Sequence, residues 1–162
     1  MELITIFGFL GVIATLYAIH VEEEANKSEK DAKDGNGKGL HKKYVAFCDI
    51  HDGMSCSRVL TSEYAKMGRV LFGLKPDNPF NLPNTYYGMM FYIGVILYEM
   101  YPFTLIPFRE TFLFFAAIGS VLSSVILAYI LTFKLKDVCL VCMTTYVINA
   151  LIMWQAWNEF FH

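Results

Sequence analysis

Residues 138–154 read VCLVCMTTYVINALIMW, and the uncharged run that they open continues to position 158. At 1.5 Å per residue such a run crosses about 30 Å of hydrocarbon as a helix. Trp154 and Trp157 fall near its far end, where aromatic anchors meet a membrane surface. Its near end carries a C-x-x-C, Cys139 and Cys142. With Tyr146 these cysteines are spaced i, i+3, i+7, so the three share one helix face, which Asn149 continues more deeply. In the first turn of a helix, unpaired backbone N–H groups and the helix dipole favour a thiolate, the form of cysteine that attacks a disulfide or an electrophilic carbon. Tyr146 offers a hydroxyl one turn further in.

The rest of the chain matches this reading. It has 162 residues, 56% hydrophobic and only 17% charged, which is apolar for a water-soluble domain of this length. Uncharged runs at 3–19, 85–107 (interrupted by Glu99) and 111–133 join 138–158 as four expected spans. The first run lacks a basic leader and a small-x-small cleavage site, so it is read as a retained span and not as a signal peptide. The fold expected is an all-α membrane protein, a single domain built as a four-transmembrane-helix bundle. Its extracytoplasmic loop, residues 21–84, carries a short amphipathic helix and a lid. The net charge of −2 argues against a nucleic-acid partner.

Within that loop, residues 21–43 are charged and poor in apolar groups, and are expected to be a flexible, solvated linker. Leu60, Tyr64, Met67, Leu71 and Leu74 then recur at 4, 3, 4, 3 spacing, one apolar stripe of a surface helix. Ser55 or Ser57 would cap its start, and Gly73 with Pro76 would end it. Asn84 stands at the mouth of the second span, where capping that helix is its ordinary role.

With four spans, the loops after spans one and three open on the same side of the membrane. Cys48 and Cys56 lie in the first and Cys139 borders the second, so all four thiols can meet on one face. Twelve of the 13 Lys and Arg residues lie on that face, which by the positive-inside rule alone would be cytosolic. Most of them sit in a long loop where the rule loses force, and paired cysteines point to an oxidising lumen or periplasm. No metal is expected: the four histidines are scattered, and Cys48 and Cys56, with seven residues between them, lack zinc-knuckle spacing. A disulfide-stapled scaffold without activity is the non-enzymatic alternative.

Several ordered motifs together resemble the vitamin K epoxide reductase family. These are Cys48-Asp49 with Ser55-Cys56-Ser57-Arg58; Asn81-Leu82-Pro83-Asn84 before Gly88 and Phe91-Tyr92; Leu127-Ala128-Tyr129-Ile130-Leu131; and Cys139-x-x-Cys142 before Thr144-Thr145-Tyr146. The resemblance is closer to animal members than to bacterial ones with a fused thioredoxin-like domain. It implies reduction of vitamin K epoxide to the quinone and of the quinone to the hydroquinone, with no tightly bound cofactor. Cys142 would attack the substrate and Cys139 would resolve the adduct. Cys56 would exchange with Cys139, and Cys48 would pair with Cys56 and accept electrons from a thioredoxin-like oxidoreductase. Asn84 and Tyr146 would hydrogen-bond the two quinone oxygens. Inhibition by 4-hydroxycoumarin anticoagulants and an endoplasmic reticulum membrane location, cysteine face luminal, are implied too. The alternative within redox chemistry is a quinone-linked thiol oxidase. The four-span bacterial enzymes of that type carry their C-x-x-C in the first loop, unlike this chain. Departures from the family are a longer charged linker, Leu60 where phenylalanine is common, and Tyr87 where the aromatic is often phenylalanine.

Overall fold

A computed structural model describes residues 2–33, 45–49, 55–66, 73, 75, 82–100, 105 and 107–161. Five α-helices are present among them: α1 (Glu2–Lys33), α2 (Cys56–Thr61), α3 (Asn84–Tyr98), α4 (Arg109–Ile130) and α5 (Leu140–Phe161). A 3₁₀ turn (Glu63–Ala65) follows α2, and a π-helical turn (Leu131–Leu135) extends α4. The described residues form no β-strand, only an isolated bridge between Lys66 and Pro83.

The expected all-α bundle is present. Helix α3 packs on α1, α4 on α5, α1 on α5 and α3 on α4, while α2 rests on α1 at one end. Segments Leu3–Lys30, Arg109–Leu135 and Leu140–Phe161 are long and apolar enough to cross a membrane. Helix α3 is shorter, 15 residues, or about 22 Å. It covers the first part of the expected span over 85–107 and ends at Tyr98. Residues 101–104 and 106 of that span lie outside the described residues. The outer surface is apolar, with Phe112 78% and Trp154 70% exposed. Lipid is the solvent that tolerates such a surface without association.

Two buried clusters hold the bundle. One, running from mid-bundle to the end that carries the termini, joins Ile4, Tyr92, Val95, Tyr98, Leu113, Ala117, Ile148, Ile152 and Ala156. Gly11 makes room for it: a Cβ there would collide with the Tyr92 ring, and one at Gly8 would lie 2.8 Å from Ile96 Cγ1. The other cluster, at the cysteine end, joins Ala18, Val21, Ala46, Cys48, Cys56, Val59, Leu60, Leu131 and Cys139.

Two loop expectations are corrected. Residues 21–33 are not a flexible linker but the continuation of α1. Glu, Ala and Lys there are good helix formers. A 2.8 Å ion pair, Lys27 with Glu24, supports the exposed side, and Val21 and Glu22 are buried. Residues 34–43 of the expected linker lie outside the described residues. The single amphipathic helix over 60–74 is also not formed: α2 stops at Thr61. Ser57 is not the cap; Ser55 is, its hydroxyl accepting from the Arg58 N–H at 3.4 Å. The Thr61 hydroxyl donates to the Ser57 carbonyl (2.8 Å) and the Ser62 hydroxyl to the Val59 carbonyl (2.7 Å). Such back-bonding competes with helix propagation, and Ser62 turns extended at φ −65°, ψ 153°. Leu60 is buried while Tyr64 is exposed, so the expected stripe is divided. Its members at 67, 71 and 74 lie outside the described residues, and Gly73 has the left-handed φ of +60° suited to a turn.

Candidate functional site

Helix α5 starts at Leu140, with Cys139 just before it: the Met143 N–H bonds to the Cys139 carbonyl at 3.0 Å. The Cys139 sulfur also accepts the Cys142 N–H at 3.3 Å. Cys139 is therefore the helix N-cap, its sulfur in the place usually taken by a serine or aspartate oxygen.

Both thiols of the pair are reduced, Cys139 fully buried and Cys142 half-buried. They face different neighbours. Cys139 belongs to the buried cluster that holds Cys48 and Cys56. Cys142 packs on the edge of that cluster and lines a cavity of about 370 Å³. Cys48 and Cys56 are joined by a disulfide, with Cα atoms 6.1 Å apart. All four sulfurs thus gather at one end of the bundle, as expected from the parity of the spans. Asp49, with the two loop cysteines, is spaced as a metal group would be, but in the disulfide both sulfurs are committed to each other.

Asp49 holds the disulfide loop. Its carboxylate accepts from the Ser57 hydroxyl (2.7 Å), the Ala46 N–H (3.1 Å) and the Ser57 N–H (3.3 Å). Partial burial pushes its pKa up, but the combined hydrogen bonds from Ser57, Ala46 and Cys56 outweigh that and hold it below its ordinary 3.8. Arg58 reaches from α2 to Asp137, 3.1 Å away and almost fully buried. This ties the loop-disulfide helix to the segment that leads into Cys139.

The cavity lies between the cysteine end and mid-bundle. Its lid side is formed by Val59, Leu60, Ser62, Tyr64, Ala65 and Pro83. Residues from the broken helix and the proline turn therefore cover it together. Asn84 and Tyr146 both line it. Asn84 is not the helix cap, since Pro83 holds that position and Asn84 is the first helical residue. Its amide has no hydrogen-bond partner among the described residues, which leaves it available to a ligand. Deeper in, the Tyr92 hydroxyl donates to Asn149 Oδ1 (2.8 Å) and Asn149 Nδ2 to Ser124 Oγ (2.8 Å). These residues give an otherwise apolar wall a polar patch. All six residues singled out from sequence, Cys48, Cys56, Asn84, Cys139, Cys142 and Tyr146, thus fall at the cavity or in the sulfur cluster beside it.

A chamber of this size, mostly apolar with a few polar groups and a thiol in its wall, suits a lipid-soluble ligand. The sequence comparisons agree with this geometry. The vitamin K epoxide reductase family profile matches residues 2–157. The chain belongs to the vitamin K epoxide reductase family. It is 34% identical to the rat protein named vitamin K epoxide reductase complex subunit 1 over 144 residues, covering 88% of this chain and 80% of the relative. The mouse protein of the same name is 35% identical over 144 residues with the same coverage. As a member of this family the chain is an oxidoreductase and a membrane protein.

Three residues at the site escaped the sequence reading. Glu22 and Thr85 line the cavity, hydrogen-bonded to each other at 3.0 Å, and Asp137 anchors Arg58. Glu22 was hidden because it opens a charged stretch that reads as linker. The one available signal was its place three residues beyond the apolar run 3–19, directly after Val21.

Proposed function

We propose that this family member uses thiols to reduce vitamin K 2,3-epoxide to the quinone and the quinone to the hydroquinone. The observation that carries the reading is the division of labour in the C-x-x-C: Cys142 faces the cavity and Cys139 faces the buried loop disulfide. A nucleophile at the substrate and a resolving thiol at the electron supply are the two parts that a dithiol relay requires.

In the epoxide reaction the Cys142 thiolate attacks an epoxide carbon and opens the ring. Asn84 and Tyr146 donate hydrogen bonds to the ring oxygens, where negative charge develops. Cys139 then attacks the Cys142 sulfur, forming the Cys139–Cys142 disulfide. The quinone and water leave as two electrons pass from the thiols to the substrate; one proton of the water comes from the Cys139 thiol and the other from a proton donor at the cavity. Reduction of the quinone follows the same path and ends at the hydroquinone. A reduced Cys48/Cys56 pair regenerates the dithiol when Cys56 exchanges with Cys139, and Cys48 closes the loop disulfide again. A thioredoxin-like oxidoreductase then reduces the loop pair. That chemistry requires an oxidising compartment and a lipid-soluble substrate, hence an endoplasmic reticulum membrane with the cysteine end luminal. Flat 4-hydroxycoumarins, which resemble the quinone ring, would occupy the same cavity as inhibitors.

The test is dithiothreitol-driven reduction of vitamin K epoxide by the purified protein in lipid. Wild type turns over, Cys142→Ser does not although it still folds, and Tyr146→Phe is slowed or forms a different product ratio. A folded wild type that reduces neither epoxide nor quinone would overturn the proposal. Under the scaffold alternative, Cys142→Ser would alter stability and no turnover would exist to lose.

A further inference from the structure

Quinone reduction by a dithiol needs protons as well as electrons. When the attacking sulfur is already a thiolate, the pair brings only one proton, that of the resolving thiol. The hydroquinone carries two. The second has to come from an acid at the cavity.

Among the described residues the cavity is lined by one carboxyl group, that of Glu22, which is 8% exposed and shares the cavity with Cys142. Thr85, also 8% exposed, donates its hydroxyl to Glu22 Oε2 at 3.0 Å. Thr85 directly follows Asn84 at the start of α3, and Asn84, whose amide is proposed to hold a quinone oxygen, lines the same cavity as Glu22. The charges that reach Glu22 are Lys66 from the lid and Glu23 from its own helix. The other titratable groups on the wall, among the described residues, are Tyr64, Tyr87, Tyr92, Cys142 and Tyr146. Phenols, with ordinary pKa values of about 10, hold on to their protons near neutrality. They can donate hydrogen bonds but are poor sources of a transferred proton, whereas a carboxyl group in a water-poor wall can serve.

We propose that Glu22, held by Thr85, is the acid that protonates the substrate oxygen at the Asn84 end of the cavity. This rests on the reductase reading above. The step balances: the Cys142 thiolate and the Cys139 thiol become the Cys139–Cys142 disulfide, and two electrons reduce the quinone. One proton comes from Cys139 and one from Glu22, leaving hydroquinone and a Glu22 carboxylate. Glu22 regains its proton when the dithiol is restored, since exchange with a reduced dithiol releases a proton for each thiolate formed.

The alternative is that Glu22 is only a brace, its negative charge set near the N-terminus of α3 through Thr85. Glutamine preserves that brace, because its side-chain oxygen still accepts from Thr85, but it cannot transfer a proton. The experiment is single-turnover reduction of vitamin K quinone by pre-reduced protein in lipid nanodiscs, across pH, with no soluble thiol present. For Glu22→Gln the expected result is a loss in rate of about 100-fold or more, with quinone affinity little changed. The wild-type fall in rate at alkaline pH should disappear in this variant. Glu22→Asp, which keeps an acid, should recover that alkaline limb at a lower rate, and it decides the matter should the glutamine variant fail to fold. A Glu22→Gln rate within about twofold of wild type with the same pH profile would overturn the assignment. If wild type reduces no quinone, the reductase reading and this assignment fall together. If wild type turns over and Glu22→Gln matches it, only this assignment falls.

Discussion

Cys139 and Cys142 are three residues apart, yet they work in different surroundings. The helix start separates them: Cys139 caps it from the buried sulfur cluster, and Cys142 lies one turn in, at the cavity. Cys139→Ser is therefore expected to leave attack on the substrate possible and to remove its resolution. The measurable outcome is a covalent adduct at Cys142, seen by intact mass after incubation with vitamin K epoxide, with turnover lost. No adduct in a folded variant would count against Cys142 as the nucleophile. Asp49 gives a prediction in pH. Its pKa is held below 3.8 in the folded protein, so the unfolded chain binds the proton more tightly. Its contribution to stability is fully present above that ordinary value and is lost as pH falls through the lowered one. Asp49→Asn should lower the melting temperature of the detergent-solubilised, disulfide-bonded protein near neutral pH. The gap from wild type should close as pH drops below 3.8. A gap that is constant over the whole range would mean that the carboxylate charge contributes nothing. The group is only partly buried, which limits the effect to the modest size of solvent-screened pairs.

At the level of elements, the long uncharged runs were readable because lipid imposes a length and an apolar surface that no local interaction overrides. Helices α4 and α5 match their expected spans within a few residues. Reading failed where short-range competition decides. Thr61 and Ser62 end α2 by bonding back to its carbonyls, although the apolar spacing beyond them is helical. Residues 21–33 look like linker in composition but lie on a helix already nucleated by the span before them, so each added residue costs little. The Cys, Asn84 and Tyr146 positions were legible as motifs. Glu22, Thr85 and Asp137 were not, because their roles depend on pairs 63 and 79 residues apart in sequence. Packing of α1 against α3 was also invisible in sequence and is easily tested. Gly11 lies under the Tyr92 ring, where a Cβ has no room. Gly11→Ala should cost about 1–3 kcal/mol through overpacking, measured by thermal unfolding in detergent. Gly94→Ala, where a Cβ meets nothing within 4 Å, is the matched control and should be neutral or slightly stabilising, since alanine favours helix. Equal losses for the two would mean that helix α3 does not seat on α1 through Tyr92.

Across the whole molecule, the proposed electron path would have two entrances. Soluble dithiothreitol is small enough to reach a Cys139–Cys142 disulfide through the cavity at Cys142. A protein donor is too large for that and must begin at the loop disulfide. The loop offers such a donor an apolar foothold beside Cys48: Phe47 is 96% exposed and Val45 65% exposed. Exposed aromatics of this kind are common anchors in protein–protein contacts. The path therefore separates by donor. Cys56→Ser is expected to abolish turnover driven by a thioredoxin-like protein while retaining most of the dithiothreitol-driven turnover. Phe47→Ser is expected to weaken only the protein-driven reaction, through a higher KM for the donor, because it removes a contact and no redox group. Running both variants with both donors on vitamin K epoxide checks the arrangement. Loss of the dithiothreitol reaction in folded Cys56→Ser would place the loop pair inside the chemical step and would end the division between a cavity thiol and a supply thiol on which the mechanism depends.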